Sequence, residues 1–306
     1  MLSRTADNIY WMARMVERAQ GVVRLLEAAY RMDRLPGGGA GWDPILTISG
    51  QIDGFKRKYD ELTSKNVLNF MIFDQDNPSS VFSCVKAGRE NTRSERSILP
   101  EEMFESINTT WIDMQGLYYD SLEQSGFYEF FEWVKDRTEL FRGQTVSMMV
   151  YDDAFQFARM GTYIERADFT ARLLDVKYHI LLPPDATDRG LIDYYQWGEM
   201  LRSVGGWHAY RTIYKEAPVP SKIAEMLIFN PIFPRSMNSA YGEIVTSLGA
   251  LRPDTLSLKI AAQEHAFLHT GTLAGILKER SLHDFLTDFV GFTARLSDQI
   301  RADFML

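Results

Sequence analysis

A helical segment centred on Glu165-Arg166-Ala167 occurs twice in this chain, and that repetition restricts the available folds more than any other feature. When Glu165 is set on Glu17, Glu165-Arg166-Ala167 falls on Glu17-Arg18-Ala19 and Arg172-Leu173-Leu174 on Arg24-Leu25-Leu26. Met160 then lies on Met12 and Tyr178 on Tyr30. Paired blocks at one offset point to an internal duplication. Residues three or four apart share a helix face, so Ala158, Thr162, Glu165, Phe169, Arg172 and Val176 form one largely apolar column that turns Glu165 and Arg172 inward. The earlier column is Tyr10, Arg14, Glu17, Gly21, Arg24, Ala28 and Arg31, with Gly21 open to close backbone approach. Glu165 and Arg172 stand roughly 10 Å apart along the axis, so each needs a partner from another helix. Antiparallel packing about an approximate two-fold axis predicts crossed pairs, Glu17 with Arg172 and Glu165 with Arg24. Buried charges demand such compensation.

Helical periodicity continues along the chain. It predicts a helix over 3–34, with Ser3 or Thr5 as N-cap and Ile9, Met12, Ala13, Val16, Val23 and Leu26 packed inward. The run Pro36-Gly37-Gly38-Gly39-Ala40-Gly41 ends it. Further helices are expected over 43–62, 67–73 and 79–98, then from Pro100 with Met103, Ile107, Trp111, Met114, Leu117 and Tyr118 at helical spacing, and over 127–149. The repeated helix covers 152–181 before Pro183-Pro184, followed by helices over 189–203, 206–216, 235–249, 254–279 and 281–304. The stretch 218–234 is punctuated by proline. No alternating β-branched run calls for a sheet. The expected fold is all-α: a compact multi-helix bundle, one domain over 1–306, with possible interleaved halves of about 1–140 and 141–306.

Composition narrows the partners. A net charge of −8 and a pI near 5.3 disfavour a nucleic-acid surface or an anionic membrane surface. The single cysteine, Cys84, excludes an intrachain disulfide and a cysteine-rich zinc site; it reads as a small core residue in a reducing compartment. The charged N-terminus lacks a secretory apolar run, and no stretch approaches the ~18 apolar residues of a membrane span. A cytoplasmic location follows as the expectation.

The two Glu-Arg-Ala helices resemble the bacterial alpha-E domain family, as do Leu2-Ser3-Arg4-Thr5-Ala6-Asp7-Asn8-Ile9-Tyr10-Trp11, Arg89-Glu90-Asn91-Thr92-Arg93 and Phe233-Pro234-Arg235-Ser236. The similarity extends over essentially the whole chain. It implies an all-α fold encoded beside circularly permuted ATP-grasp amide ligases, transglutaminase-like peptidases and proteasome-like hydrolases. It implies no reaction for the domain itself.

Candidate sites follow from charge and spacing. Glu17, Arg24, Glu165 and Arg172, augmented by Arg14, Arg18 and Arg166, suit recognition, because the planar arginine fork matches a carboxylate or phosphate. The same set could instead be interhelical ion pairs that fix helix register. Arg89, Arg93 and Arg96 fall at i, i+4 and i+7, a basic stripe that could hold an anion or lie solvated. The resemblance implies that Glu90 and Asn91 orient those arginines or bind a polar ligand. Pro234 at a helix start would aim free N–H groups and Arg235 at one volume. His265 and His269 stand one turn apart after Glu264, but a third metal ligand is missing. His208 reads as packing, and the aromatic residues of 111–141 as core. Gly37-Gly38-Gly39 lacks the lysine of a phosphate loop, and no nucleophilic triad assembles.

No cofactor or metal is expected. The leading expectation is an accessory or ligand-binding helical module of an ATP-grasp amide-ligation or peptide-modification system. Its partners would be an ATP-grasp ligase-like protein, possibly a transglutaminase-like protein, and a peptide or carboxylate ligand. The alternatives are an enzyme acting on an amide or peptide through a Glu/Arg cleft, and a purely structural interaction scaffold.

Overall fold

The computed structural model describes residues 1–34, 42–179 and 191–305. The glycine-rich helix stop at 36–41 and the diproline at 183–184 lie outside that set. The helices in chain order are α1 (Ser3–Asp33), α2 (Asp43–Ile48), α3 (Ile52–Lys56), α4 (Ser64–Leu68), α5 (Val81–Ser94), α6 (Glu101–Met114), α7 (Tyr119–Ser125) and α8 (Phe127–Met148). They continue with α9 (Asp153–His179), α10 (Leu191–Ser203), α11 (Trp207–Tyr214), α12 (Pro220–Phe229), α13 (Met237–Leu251), α14 (Leu256–Thr270), α15 (Leu273–Glu279) and α16 (Leu282–Phe304). No strand occurs among the described residues. The fold is all-α.

Where helices start and stop follows local chemistry. Ser80 accepts a hydrogen bond from the Ser83 amide (3.1 Å) at the head of α5, and Ser236 does the same for Ser239 (3.0 Å) at the head of α13. The expected continuous helix over 43–62 is two short ones, because Gly50 takes a φ of 65° and the Gln51 amide turns back to the Leu46 carbonyl at 2.7 Å. Likewise 254–279 is two helices: Thr272 caps α15 by accepting from the Gly275 amide (3.1 Å). The proline-punctuated segment contains a full helix, α12, with Pro220 in its first turn, where a missing N–H costs nothing. After α4 the chain widens into a π turn over Asn69–Phe73, and buried Asn77 donates to the Phe70 carbonyl at 3.0 Å.

The contacts divide the chain into two compact units. One takes Met1–Ala29 and Gly41–Thr162; the other takes Tyr163–Phe304 with the end of α1 from Tyr30. The division falls inside α9.

In the first unit α5 packs on α6 and α6 on α8. Its core includes Ile9, Met12, Ala13, Val16, Val23 and Leu26 from α1, Met103, Ile107 and Met114 from α6, and Phe127, Phe130, Phe131 and Phe141 from α8. Cys84 is buried with its thiol 3.7 Å from the Pro78 carbonyl. Close packing decides one residue of α9 within this unit: a Cβ on Gly161 would lie 2.2 Å from the Tyr10 carbonyl oxygen and 3.2 Å from the Ala13 Cβ. Only glycine allows that approach.

In the second unit α13 packs on α14 and α14 on α16, while α12 touches α13, α14 and α15. Tyr241 and Thr293 share a buried hydroxyl hydrogen bond of 2.8 Å between α13 and α16. Ile223, Leu227, Ile244, Leu248, Leu268, Leu286 and Ile300 are fully enclosed around it.

Candidate functional site

The first Glu-Arg helix meets α8 through a graded row of polar contacts. Glu17, 6% exposed, lies 3.6 Å from Arg142. Arg142 also donates to Gln20 (3.3 Å), and Gln20 donates to Glu139 (3.1 Å). Arg24 reaches the same Glu139 oxygen at 2.9 Å, and Lys135 meets Glu27 at 2.7 Å. Rising numbers on α1 match falling numbers on α8, so the two run antiparallel in a register that the charges fix. Beside Glu17 is a cavity of about 20 Å³ lined also by Gln20, Thr138, Arg142, Thr145 and Thr162. That is room for one water and no larger ligand. Arg18 is half-buried on the same helix. The Arg14 guanidinium lies 4.5 Å from the Trp11 ring centre, a cation–π contact.

On α5, Glu90 binds both neighbouring arginines: one oxygen takes Arg89, and the other takes Arg93 at 2.6 Å. Arg89 also donates to Asn108 of α6 at 2.7 Å, while Asn91 is half-buried. The helix ends at Ser94, so Arg96 lies beyond it and the expected three-arginine stripe stops at two. Glu95 instead accepts from Asn8 at 2.5 Å, joining α1 to the end of α5.

In the second unit the Glu-Arg stretch of α9 is occupied with the turn before α13. Glu165 and Arg166 are each 5% exposed. Arg166 donates to the Pro234 carbonyl (3.2 Å), and buried Thr170 donates to the Arg235 carbonyl (2.9 Å). Arg235 is itself 8% exposed. The turn is held from within, since the Asn230 side chain accepts from the Ile232 and Phe233 amides at 3.0 and 2.9 Å. From its sequence, Phe233-Pro234-Arg235-Ser236 is expected to offer free amides at a helix start. The structure corrects this: Ser236 is the cap, α13 begins at Met237, and the segment presents its carbonyls to α9.

Arg172 departs from expectation most clearly. It is 35% exposed and pairs with Asp168 one turn back on its own helix at 2.8 Å. Arg24 is likewise taken by Glu139. Arg24 and Arg172 thus each pair inside their own unit, Arg24 with an acid of the facing helix and Arg172 with an i, i+4 acid of its own helix.

A family model described as a predicted alpha-helical domain with a conserved ER motif matches residues 1–305. The chain belongs to the Alpha-E family. No curated protein and no solved structure matched this Alpha-E chain. Of its candidate residues, Glu17, Arg18, Arg24, Arg89, Glu90, Asn91 and Arg93 fall in the first unit, and Glu165, Arg166, Arg172 and Arg235 in the second.

Several residues that complete these arrangements in the Alpha-E domain do not stand out in the sequence: Gln20, Glu27, Lys135, Glu139, Arg142 and Thr170. A signal was present for three of them. Lys135, Glu139 and Arg142 sit at i, i+4 and i+7, a polar stripe on an otherwise aromatic helix. Elsewhere, burial raises the Glu264 carboxyl above its usual range, opposed by Arg280, and lowers His265, helped by nearby His269. The two imidazoles lie 6.0 Å apart. Among the described residues no three His, Cys, Asp or Glu side chains gather as a metal site needs, and no helix is long and apolar enough to cross a membrane. His208 is exposed.

Proposed function

We propose that this Alpha-E chain is a non-catalytic accessory module of an ATP-grasp amide-ligation system, working in the cytoplasm by docking a partner enzyme. One observation carries the reading. Arg24, Arg89, Arg93, Arg166 and Arg172 each meet an acceptor supplied by the protein itself. Arginines engaged in this way serve helix register more readily than substrate capture, since a ligand would first have to displace those contacts. The ligase and transglutaminase-like partners come from the family resemblance. The reading is supported in the first unit by an exposed apolar group, Val146, Met148, Val150 and Tyr151, at the end of α8 and the turn into α9. Grouped apolar side chains at a surface suit protein contact.

The test is co-expression with the neighbouring ATP-grasp and transglutaminase-like proteins, followed by affinity capture. A complex with either one, weakened by Val150→Glu, is the expected result. Turnover of an amide or peptide by the isolated chain, abolished in Glu165→Gln with the fold intact, would instead establish the enzyme reading.

A further inference from the structure

A groove of about 570 Å³ opens in the second unit, lined by none of the candidate residues discussed above. Its walls are Tyr194 of α10, Trp207 and Arg211 of α11, and the turn Lys215 to Pro218. The size falls within the range of small-molecule sites. Trp207 is braced: Arg202 lies 4.5 Å from its ring centre and is itself held by Glu199 at 2.6 Å. Tyr194 is 42% exposed.

The charges on the rim are unequal. Glu216, the one acid lining the groove, is paired with Lys222 at 2.5 Å. Arg211 and Lys215 are exposed, and neither side chain has a partner among the described residues. Basic residues at a helix C-terminus can simply complement the helix dipole. That accounts for the charge, but it does not account for the backbone that carries it. Lys215 adopts φ 55° and ψ 30°, the only non-glycine residue with positive φ among those described. Its amide closes α11 by donating to the Arg211 carbonyl at 3.0 Å, a position where glycine is unstrained and lysine is not. Strain of this kind is retained at sites that use the side chain.

We infer that this groove binds a small anion bearing a planar aromatic ring. Arg211 and Lys215 receive the phosphate or carboxylate, and the ring lies against Trp207 and Tyr194. Guanidinium and ammonium donors fit such an oxyanion, and indole and phenol faces fit the ring. The inference is independent of the accessory-module reading, because no groove residue belongs to the Glu/Arg set or to the surface around Val150.

Isothermal titration of the full chain with AMP, phenyl phosphate and benzoate tests it, with adenosine and inorganic phosphate as the separated halves. At least one aromatic anion should bind more tightly than either half, and added salt should weaken it. Arg211→Ala and Lys215→Gly should each weaken binding roughly tenfold or more, as loss of a charge-assisted hydrogen bond does. Lys215→Gly should also raise Tm, because it relieves the left-handed residue; this separates lost binding from lost folding. Failure of all three aromatic anions to bind overturns the inference. So does unchanged affinity in both variants, and a Lys215→Gly protein that is more stable yet binds equally well leaves the lysine with no role.

Discussion

The two Glu-Arg helices carry similar residues and use them differently. On α1 the charges are answered by side chains of α8, from Glu17 with Arg142 to Glu27 with Lys135. On α9 Arg166 and Thr170 are bonded to the backbone carbonyls of Pro234 and Arg235, while Arg172 is answered by Asp168 of its own helix. Side-chain contacts fix the register of two regular helices, because groups spaced in step along α1 meet groups spaced in step along α8. Carbonyl acceptors pin an irregular turn, whose own backbone lacks helical partners. A shared motif therefore specifies burial of charge without specifying what satisfies it.

The largest effect should come where neither mode can adjust. Gly161→Ala places a methyl group within 2.2 Å of the Tyr10 carbonyl. It should destabilise by at least about 3 kcal/mol despite the helix-propensity gain of roughly 1 kcal/mol. Denaturant unfolding measures this, and a neutral outcome would show that the helix crossing relaxes freely.

Glu17→Ala should come next, at about 2 kcal/mol, because it strips a buried acid from Arg142 while that arginine, 35% exposed, recovers water. Adding Arg142→Ala should then cost little more; full additivity in the double-mutant cycle would break the claim that they act as a pair. Thr170→Val keeps the shape and leaves the Arg235 carbonyl without its donor, for about 1.5 kcal/mol. Salt should leave that loss unchanged while narrowing the loss at Glu17, which sharpens the contrast between backbone and charge. Arg172→Ala should be smallest, below about 0.5 kcal/mol, since its partner is an i, i+4 acid on a half-exposed face. A cost of several kcal/mol would show that Arg172 does more than pair with Asp168.

Much of the fold was legible in advance because helical period and capping chemistry are local. The 3.6-residue spacing of α1 marked Ile9, Met12, Val16 and Leu26 as core, and all are buried. Breaks that depended on one residue were harder to see. Gly50 could have been tolerated inside a helix, and only its left-handed φ makes it a stop. Pro220 looked like a breaker and proved to be a first-turn residue, since the cost of proline depends on its place in the helix.

By itself, the sequence determined that the chain is helical, that Glu17 and Glu165 face inward, and that it carries the features of the Alpha-E family. These follow from periodicity, which constrains each residue relative to its own helix. Tertiary structure alone decided the long-range partners: Arg142 for Glu17, Glu139 for Arg24, and the Pro234 carbonyl for Arg166. Periodicity cannot supply those choices. A buried charge takes the acceptor whose distance and geometry reduce its desolvation most, and distance between residues remote in sequence exists only once the chain has folded.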